Sequence, residues 1–171
     1  MPNWCAGSLK FRGKSTDILR FFKEGLTLYR GRYDQNGNYV RETVDKDIWL
    51  NIDEYKTWYE IYLDTNSDDI FIEGTDRAYI QTNFFSQIVL DKGDNVVLYC
   101  EVMQAWDFRV NDWVKIAQTY NLDIRLYGID GLGGFVHQID ILDGQIARDQ
   151  ANNYGSYDGF VWNCPFPWIG G

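Results

Sequence analysis

The sequence predicts an α+β protein in which an antiparallel sheet is served by two or three helices. Two observations predict it. Segments rich in β-branched and aromatic residues recur between clusters of Gly, Asn and Asp, the pattern of short strands joined by turns. Clear helical spacing appears in only a few places. In Thr16 to Lys23, Ile18, Leu19, Phe21 and Phe22 follow a Ser15/Thr16 cap, and in Val110 to Tyr120, Val110, Trp113, Val114 and Ala117 share one face. At 171 residues and 45% hydrophobic content, the chain is expected to form a single domain, 1–171, with a proper core.

In chain order, a strand from Ser8 to Gly13 leads into the first helix. Leu26 to Tyr33 and Tyr39 to Val44 read as a hairpin, because Asn36-Gly37 supplies the positive backbone angles of a tight turn. Between Asp47 and Leu63, Ile48, Ile52, Tyr55, Tyr59 and Tyr62 recur by fours and threes, which predicts a helix. Asp53, Thr57, Glu60 and Asp64 would form its outer stripe, with Glu54 beside it, although Trp58 to Leu63 also has the composition of a strand. Ile70 to Glu73, Ala78 to Thr82, Ser86 to Leu90 and Val96 to Gln104 read as a β-meander. The Val110 to Tyr120 helix ends at Asn121, and strands Leu122 to Ile129 and Phe135 to Leu142 flank a Gly-rich turn. The last thirty residues read mostly as loop, with an aromatic tail, Trp162 to Trp168, expected to pack on the body.

The opening Met1-Pro2-Asn3-Trp4-Cys5, followed by strand and helix, is one block of a larger pattern. The other is Trp106, the Val110 to Tyr120 helix, the Leu122 to Tyr127 strand and Gly131 to Gly134. Together they resemble the YubB-like, ferredoxin-like family of proteins encoded on plasmids and phages. The resemblance covers about half the chain. After Trp106 that family usually has Ser-Pro-Pro where this chain has Asp107-Phe108-Arg109, and residues 27 to 95 have no counterpart. The resemblance implies a ferredoxin-like core at about 1–26 and 95–148, an inserted acidic β-rich segment at about 27–94, and a C-terminal aromatic tail at 149–171. It also implies a mobile-element origin, and structural roles for Asn3, Trp4 (as a buried anchor), Cys5, Trp106, Gly131 and Gly134.

Charge is unevenly distributed. Residues 8 to 32 carry seven basic side chains against Asp17 and Glu24, whereas residues 33 to 98 carry fourteen acids against five bases, within a net charge of −9. Such a protein is repelled by phosphate backbones on average, so direct DNA binding is not expected and a basic partner is the better match. No stretch approaches the length of a membrane span and no signal-like segment opens the chain, so a cytoplasmic protein is expected. Cys5, Cys100 and Cys164 lie far apart without a Cys-x-x-Cys pair, which predicts reduced, buried thiols and no metal or other cofactor.

Several patterns carry candidate chemistry. Gly131 to Gly134 lacks phosphate-loop spacing and joins two strands, so it reads as a turn. Asp64-Thr65-Asn66-Ser67-Asp68 alternates oxygen ligands as a calcium loop does, but Asp69 replaces the required glycine and Thr75 the bidentate glutamate. His137 is the only histidine, so an enzymatic reading must use it, although no nucleophile motif lies beside it. Carboxylates are abundant enough for a glycosidase-like pair, but spacing alone does not bring two together. Lys10, Phe11, Arg12 and Lys14 mix basic and aromatic residues as RNA-binding sheets do, without their consensus, and offer a nucleic-acid-binding alternative.

The strongest signal is the acidic run from Asp45 to Asp76, which holds ten acids against Lys46 and Lys56. Regularly spaced carboxylates can imitate DNA phosphates. The expected function is therefore a non-enzymatic, protein-binding inhibitor that competes with DNA for a host protein's basic nucleic-acid-binding surface. A restriction or CRISPR nuclease would be its target. Asp53, Glu54, Glu60, Asp64, Asp68 and Asp69 would form the acidic face, with Trp49, Trp58 and Tyr62 as aromatic anchors.

Overall fold

The structure, a computed structural model, describes residues 3–65, 70–81, 87–130 and 134–153. In chain order these form β1 (Trp4–Gly13), α1 (Ser15–Glu24), β2 (Leu26–Tyr33), β3 (Tyr39–Thr43), α2 (Lys46–Trp49), β4 (Leu50–Glu54) and β5 (Trp58–Leu63). There follow β6 (Ile70–Ile72), β7 (Ala78–Ile80), β8 (Gln87–Asp91), β9 (Val96–Ala105), α3 (Val110–Tyr120), β10 (Asp123–Asp130), β11 (Phe135–Leu142) and β12 (Gln145–Asn153). Over the described residues the protein is α+β, mostly antiparallel sheet with three helices. A nine-stranded sheet runs β12-β11-β10-β1-β9-β7-β6-β2-β3, and a separate three-stranded sheet runs β4-β5-β8.

Every neighbouring pair in the large sheet is antiparallel. With β9, β7 and β6 between them, β1 and β2 therefore run the same way, and α1 is the crossover that joins them. The α3 crossover likewise joins β9 to β10, which lie on opposite sides of β1. Both helices cover one face of this sheet. Cys5, Leu9 and Phe11 of β1 are fully buried beneath them, whereas Lys10 and Arg12 point to the other, helix-free face. Phe21 of α1 meets the Phe11 ring at 4.5 Å and the Tyr120 ring of α3 at 5.4 Å. Burial of each such ring contributes roughly 1.5–3 kcal/mol. Gly128 of β10 is required by close approach, since a Cβ there would lie 2.1 Å from the Phe108 ring and 2.7 Å from the Cys5 sulfur.

The segment expected to be one helix from Asp47 to Leu63 is a short helical turn, α2, followed by the β4–β5 hairpin. The hairpin buries Ile61 and Leu63, with Ile52 packed beside them, in the same core as α1, and β8 adds Ile88 and Leu90. An alternating pattern places these residues on one face and leaves the other to solvent, which a single helix could not do for Ile61 and Leu63 as well as Ile52. The expected meander is also divided. β6 and β7 pair with each other and β7 with β9, but β8 joins the small sheet.

The region expected as terminal loop contains β12, launched by Asp143 and Gly144, both with positive φ (51° and 69°). At the start of α1, Ser15 is the first helical residue rather than a cap. Its backbone N–H donates to the Gly93 carbonyl (2.9 Å), and its hydroxyl accepts from the Gly93 N–H (3.2 Å). α3 ends on Asn121 in the left-handed conformation (φ 55°). The aromatic tail and Cys164 lie outside the described residues.

Candidate functional site: the outer face of the small sheet

On β4-β5-β8, alternate residues face away from the core. Asp53 stands directly opposite Glu60, and Glu60 opposite Val89. Asn51 pairs with Tyr62 and Tyr62 with Gln87, while Trp58 pairs with Asp91. The turn through Lys56 and Thr57 closes with the Tyr55 N–H donating to the Trp58 carbonyl (2.9 Å), and the two rings stack 5.1 Å apart at 20°. Trp58, Glu60 and Tyr62 therefore alternate outward along one strand, with Asp53 and Tyr55 beside them.

Glu60 sits among aromatic donors. The Trp58 indole N–H reaches its Oε1 at 3.4 Å, and the Tyr62 hydroxyl donates to its Oε2 at 2.5 Å. That hydrogen bond to Glu60 pushes the Tyr62 phenol up to about 12, with burial and the Glu60 charge acting in the same direction. The Glu60 charge likewise raises Tyr55. Asn51 donates to Asp53 at 3.4 Å. Among the described residues, neither Asp53 nor Glu60 nor Asp91 has an ion-pair partner. Val89, at 59% exposed, adds an apolar contact point.

The other residues expected on this face are placed differently. Trp49 is 1% exposed, with the Lys46 ammonium 5.8 Å from its ring centre, so it is part of the core rather than an anchor. Glu54, opposite Tyr59, points away from Asp53 and pairs with Lys92 at 2.7 Å. The hydrogen bond and charge of Lys92 lower its pKa. Asp64 is exposed one residue past β5, its N–H donated to the Trp49 carbonyl at 2.8 Å. Asp68 and Asp69 lie outside the described residues, as does most of the Asp64 to Asp69 loop considered for calcium. Among the described residues no group of three or more His, Cys, Asp or Glu side chains is placed to hold a metal.

His137 occupies a second constellation. Its Nδ1 lies 2.7 Å from Asp107 Oδ1 and its Nε2 2.7 Å from Asp149 Oδ1. Both partners are carboxylates, which accept, so both contacts are hydrogen bonds only when the two ring nitrogens each carry a proton. Burial alone would lower its pKa, but the hydrogen bonds and charges of Asp107 and Asp149 raise it above the ordinary 6.5. With both nitrogens committed as donors, the ring has no lone pair with which to take a proton. Cys5 lies close by, and burial, then the charges of Asp107 and Asp130, push its thiol well up. Burial also pushes Cys100 up to about 12. The ring is thus held between two carboxylates, and both thiols are buried.

In the basic start Lys10 and Lys14 are exposed, while the other two residues are engaged within the fold. Phe11 is fully buried and unavailable for base stacking, and Arg12 forms an ion pair with Asp123. Trp4 is half-buried on the helix-free face rather than in the core, edge-on to Tyr79 at 5.9 Å, with Arg77 over it. Trp106 is 55% exposed with φ 74°, and its N–H donates to the Asn3 carbonyl at 2.7 Å, so the backbone rather than the indole ties this motif to the chain start. The buried aromatics of that block are Phe108 and Trp113; the Trp113 indole N–H donates to Gln104 at 3.0 Å. Gly134 has φ 68° and closes its turn on the Asp130 carbonyl at 2.9 Å, while Gly131 lies outside the described residues.

Compared with known proteins, the chain matches no family model, no curated protein and no solved structure. No helix among the described residues is long and apolar enough to cross a membrane.

Proposed function

We propose that this is a non-enzymatic binding protein that offers the outer face of its small sheet to a basic surface on another protein. The carrying observation is Asp53 opposite Glu60, two carboxylates with no ion-pair partner among the described residues, set among Tyr55, Trp58 and Tyr62. Acidic side chains give orientation and speed of encounter with a positive partner, and exposed aromatic rings give contact area.

The class of partner follows from joining this face to the resemblance noted above. The order β10-β1-β9, with β2 further along and a helix in each crossover, supports a ferredoxin-like core into which β6 and β7 have been inserted. A YubB-like product of a phage or plasmid has most use for an acidic face against a host nuclease of the restriction or CRISPR kind. Occupying that enzyme's Lys/Arg-lined nucleic-acid site in the host cytoplasm would block it without chemistry.

The test is affinity capture from host lysate with wild type beside Asp53→Lys/Glu60→Lys, followed by a DNA-cleavage assay on any nuclease recovered. Wild type should retain the nuclease and protect DNA, and the double reversal should do neither while keeping its melting temperature. Equal capture by both proteins would overturn the reading. Nucleic acid recovered in place of a protein would favour an accessory role on nucleic acid.

A further inference from the structure

Like charges placed directly opposite each other across a strand pair destabilise a sheet. Asp53 and Glu60 are so placed, and the groups that reach them, Asn51, Tyr55, Trp58 and Tyr62, are neutral donors that orient the carboxylates without cancelling their charge. Four other carboxylates do have a cation within the fold: Arg12 pairs with Asp123, Lys92 with Glu54, Arg125 with Asp140 and Arg109 with Asp76. The nearest basic residue in sequence, Lys56, sits exposed in the turn and forms no ion pair among the described residues. This face therefore carries Asp53, Glu60 and Asp91 without an ion-pair partner among the described residues, beside the stacked Tyr55–Trp58 pair.

We infer that the missing group is an arginine side chain of the partner, with its guanidinium lying against the Tyr55–Trp58 pair and its N–H fork shared between Asp53 and Glu60. The inference rests on the binding reading above and names its central contact. A guanidinium fits better than an ammonium for three reasons. It is planar and lies on aromatic rings, its fork matches paired carboxylates, and it is more weakly hydrated, so it loses less on leaving water. Glu60 accepts from Trp58, Tyr62 and Tyr55, and a carboxylate's two oxygens still leave a lone pair for it. Asp91, opposite Trp58, adds negative charge on the far side of the same ring.

The experiment titrates 15N-labelled full-length protein with a capped Gly-Arg-Gly-Arg-Gly peptide, and with the same peptide carrying citrulline or lysine in place of arginine. The Trp58 indole N–H is assigned with Trp58→Phe. The arginine peptide should shift that resonance and the backbone amides of Asp53 and Tyr55. Its affinity should exceed that of the neutral citrulline peptide by about tenfold, and Glu60→Gln should erase most of that difference. Lysine should fall between the two. Indistinguishable arginine and citrulline peptides, lysine equal to arginine, shifts confined to another surface, or an unaltered Glu60→Gln titration would each overturn the inference. The two failures separate cleanly. Loss of protein capture in the double reversal, with peptides that cannot be told apart, sinks the arginine site alone, whereas undiminished capture sinks the binding reading itself.

Discussion

The outer face of the small sheet and the cluster around His137 use the same side chains in opposite ways. In each, two carboxylates converge: Asp53 with Glu60, and Asp107 with Asp149. Around His137 the fold provides the cation, and the charge is spent on fixing β11 and β12 to the loop after β9. On the small sheet no cation is provided, and the carboxylates are held by neutral donors at the surface. A carboxylate pair neutralised from within serves stability, while one left unbalanced at the surface has its charge available to the partner we propose.

The largest expected effect comes from breaking the balanced site. His137→Ala leaves Asp107 and Asp149 facing each other with no cation and opens a space beneath β11. We expect a loss of about 2 kcal/mol in chemical denaturation, less than the 3–5 kcal/mol typical of a fully buried pair, because both carboxylates are about 40% exposed. A change within a few tenths of a kcal/mol would mean that His137 is not the cation described. Trp58→Ala is the matched substitution on the unbalanced face. It should cost little stability, because Trp58 is only half-buried, yet reduce partner capture by more than tenfold, as the loss of a central aromatic anchor does.

A smaller effect follows from pH. The His137 pKa is raised in the folded state, so its contribution to stability is fully present below the unfolded value near 6.5 and is lost as pH rises through the higher folded value. The melting-temperature advantage of wild type over His137→Gln should therefore be greatest near about pH 6 and shrink as the pH is raised above the ordinary histidine value. An advantage that grows with pH would show that the ring is bound neutral. Partner binding through Asp53 and Glu60 should not follow this curve, since that face does not contain the histidine.

How much of this was legible in the sequence depends on the range of the interaction. α1 and α3 were readable because Ile18, Phe21, Trp113 and Ala117 repeat within one helix, and Asn121 marked an end that the backbone does adopt. The small sheet was misread because Ile48, Ile52, Tyr55, Tyr59 and Tyr62 fit a helical period by coincidence, and the Lys56-Thr57 turn contains neither Gly nor Asn to announce a hairpin. Asp53 and Glu60 nevertheless stayed together, since residues seven apart share a helix face and, in this register, also stand opposite each other across the hairpin. Glu54 and Trp49 did not, because strand alternation sends Glu54 to the other face and the turn before β4 buries Trp49. Asp143-Gly144 was a local signal for β12 that could have been read. The partners of His137 carried none, for Asp107 is thirty residues away and Asp149 is joined to it only through the β11–β12 pairing.

The smallest and most discriminating change is Asp53→Asn. It keeps the shape and the hydrogen-bonding capacity of the side chain and removes one of two opposed charges, so folding stability should rise by roughly 0.2–0.5 kcal/mol while partner binding falls. The same substitution at Asp149 should have the reverse sign for stability, because there the charge is answered by His137. Urea denaturation of both variants beside wild type measures the two signs directly. If Asp53→Asn destabilises the protein instead, Asp53 must already be neutralised within the fold, and the distinction between a carboxylate pair kept for folding and one kept for a partner would no longer hold.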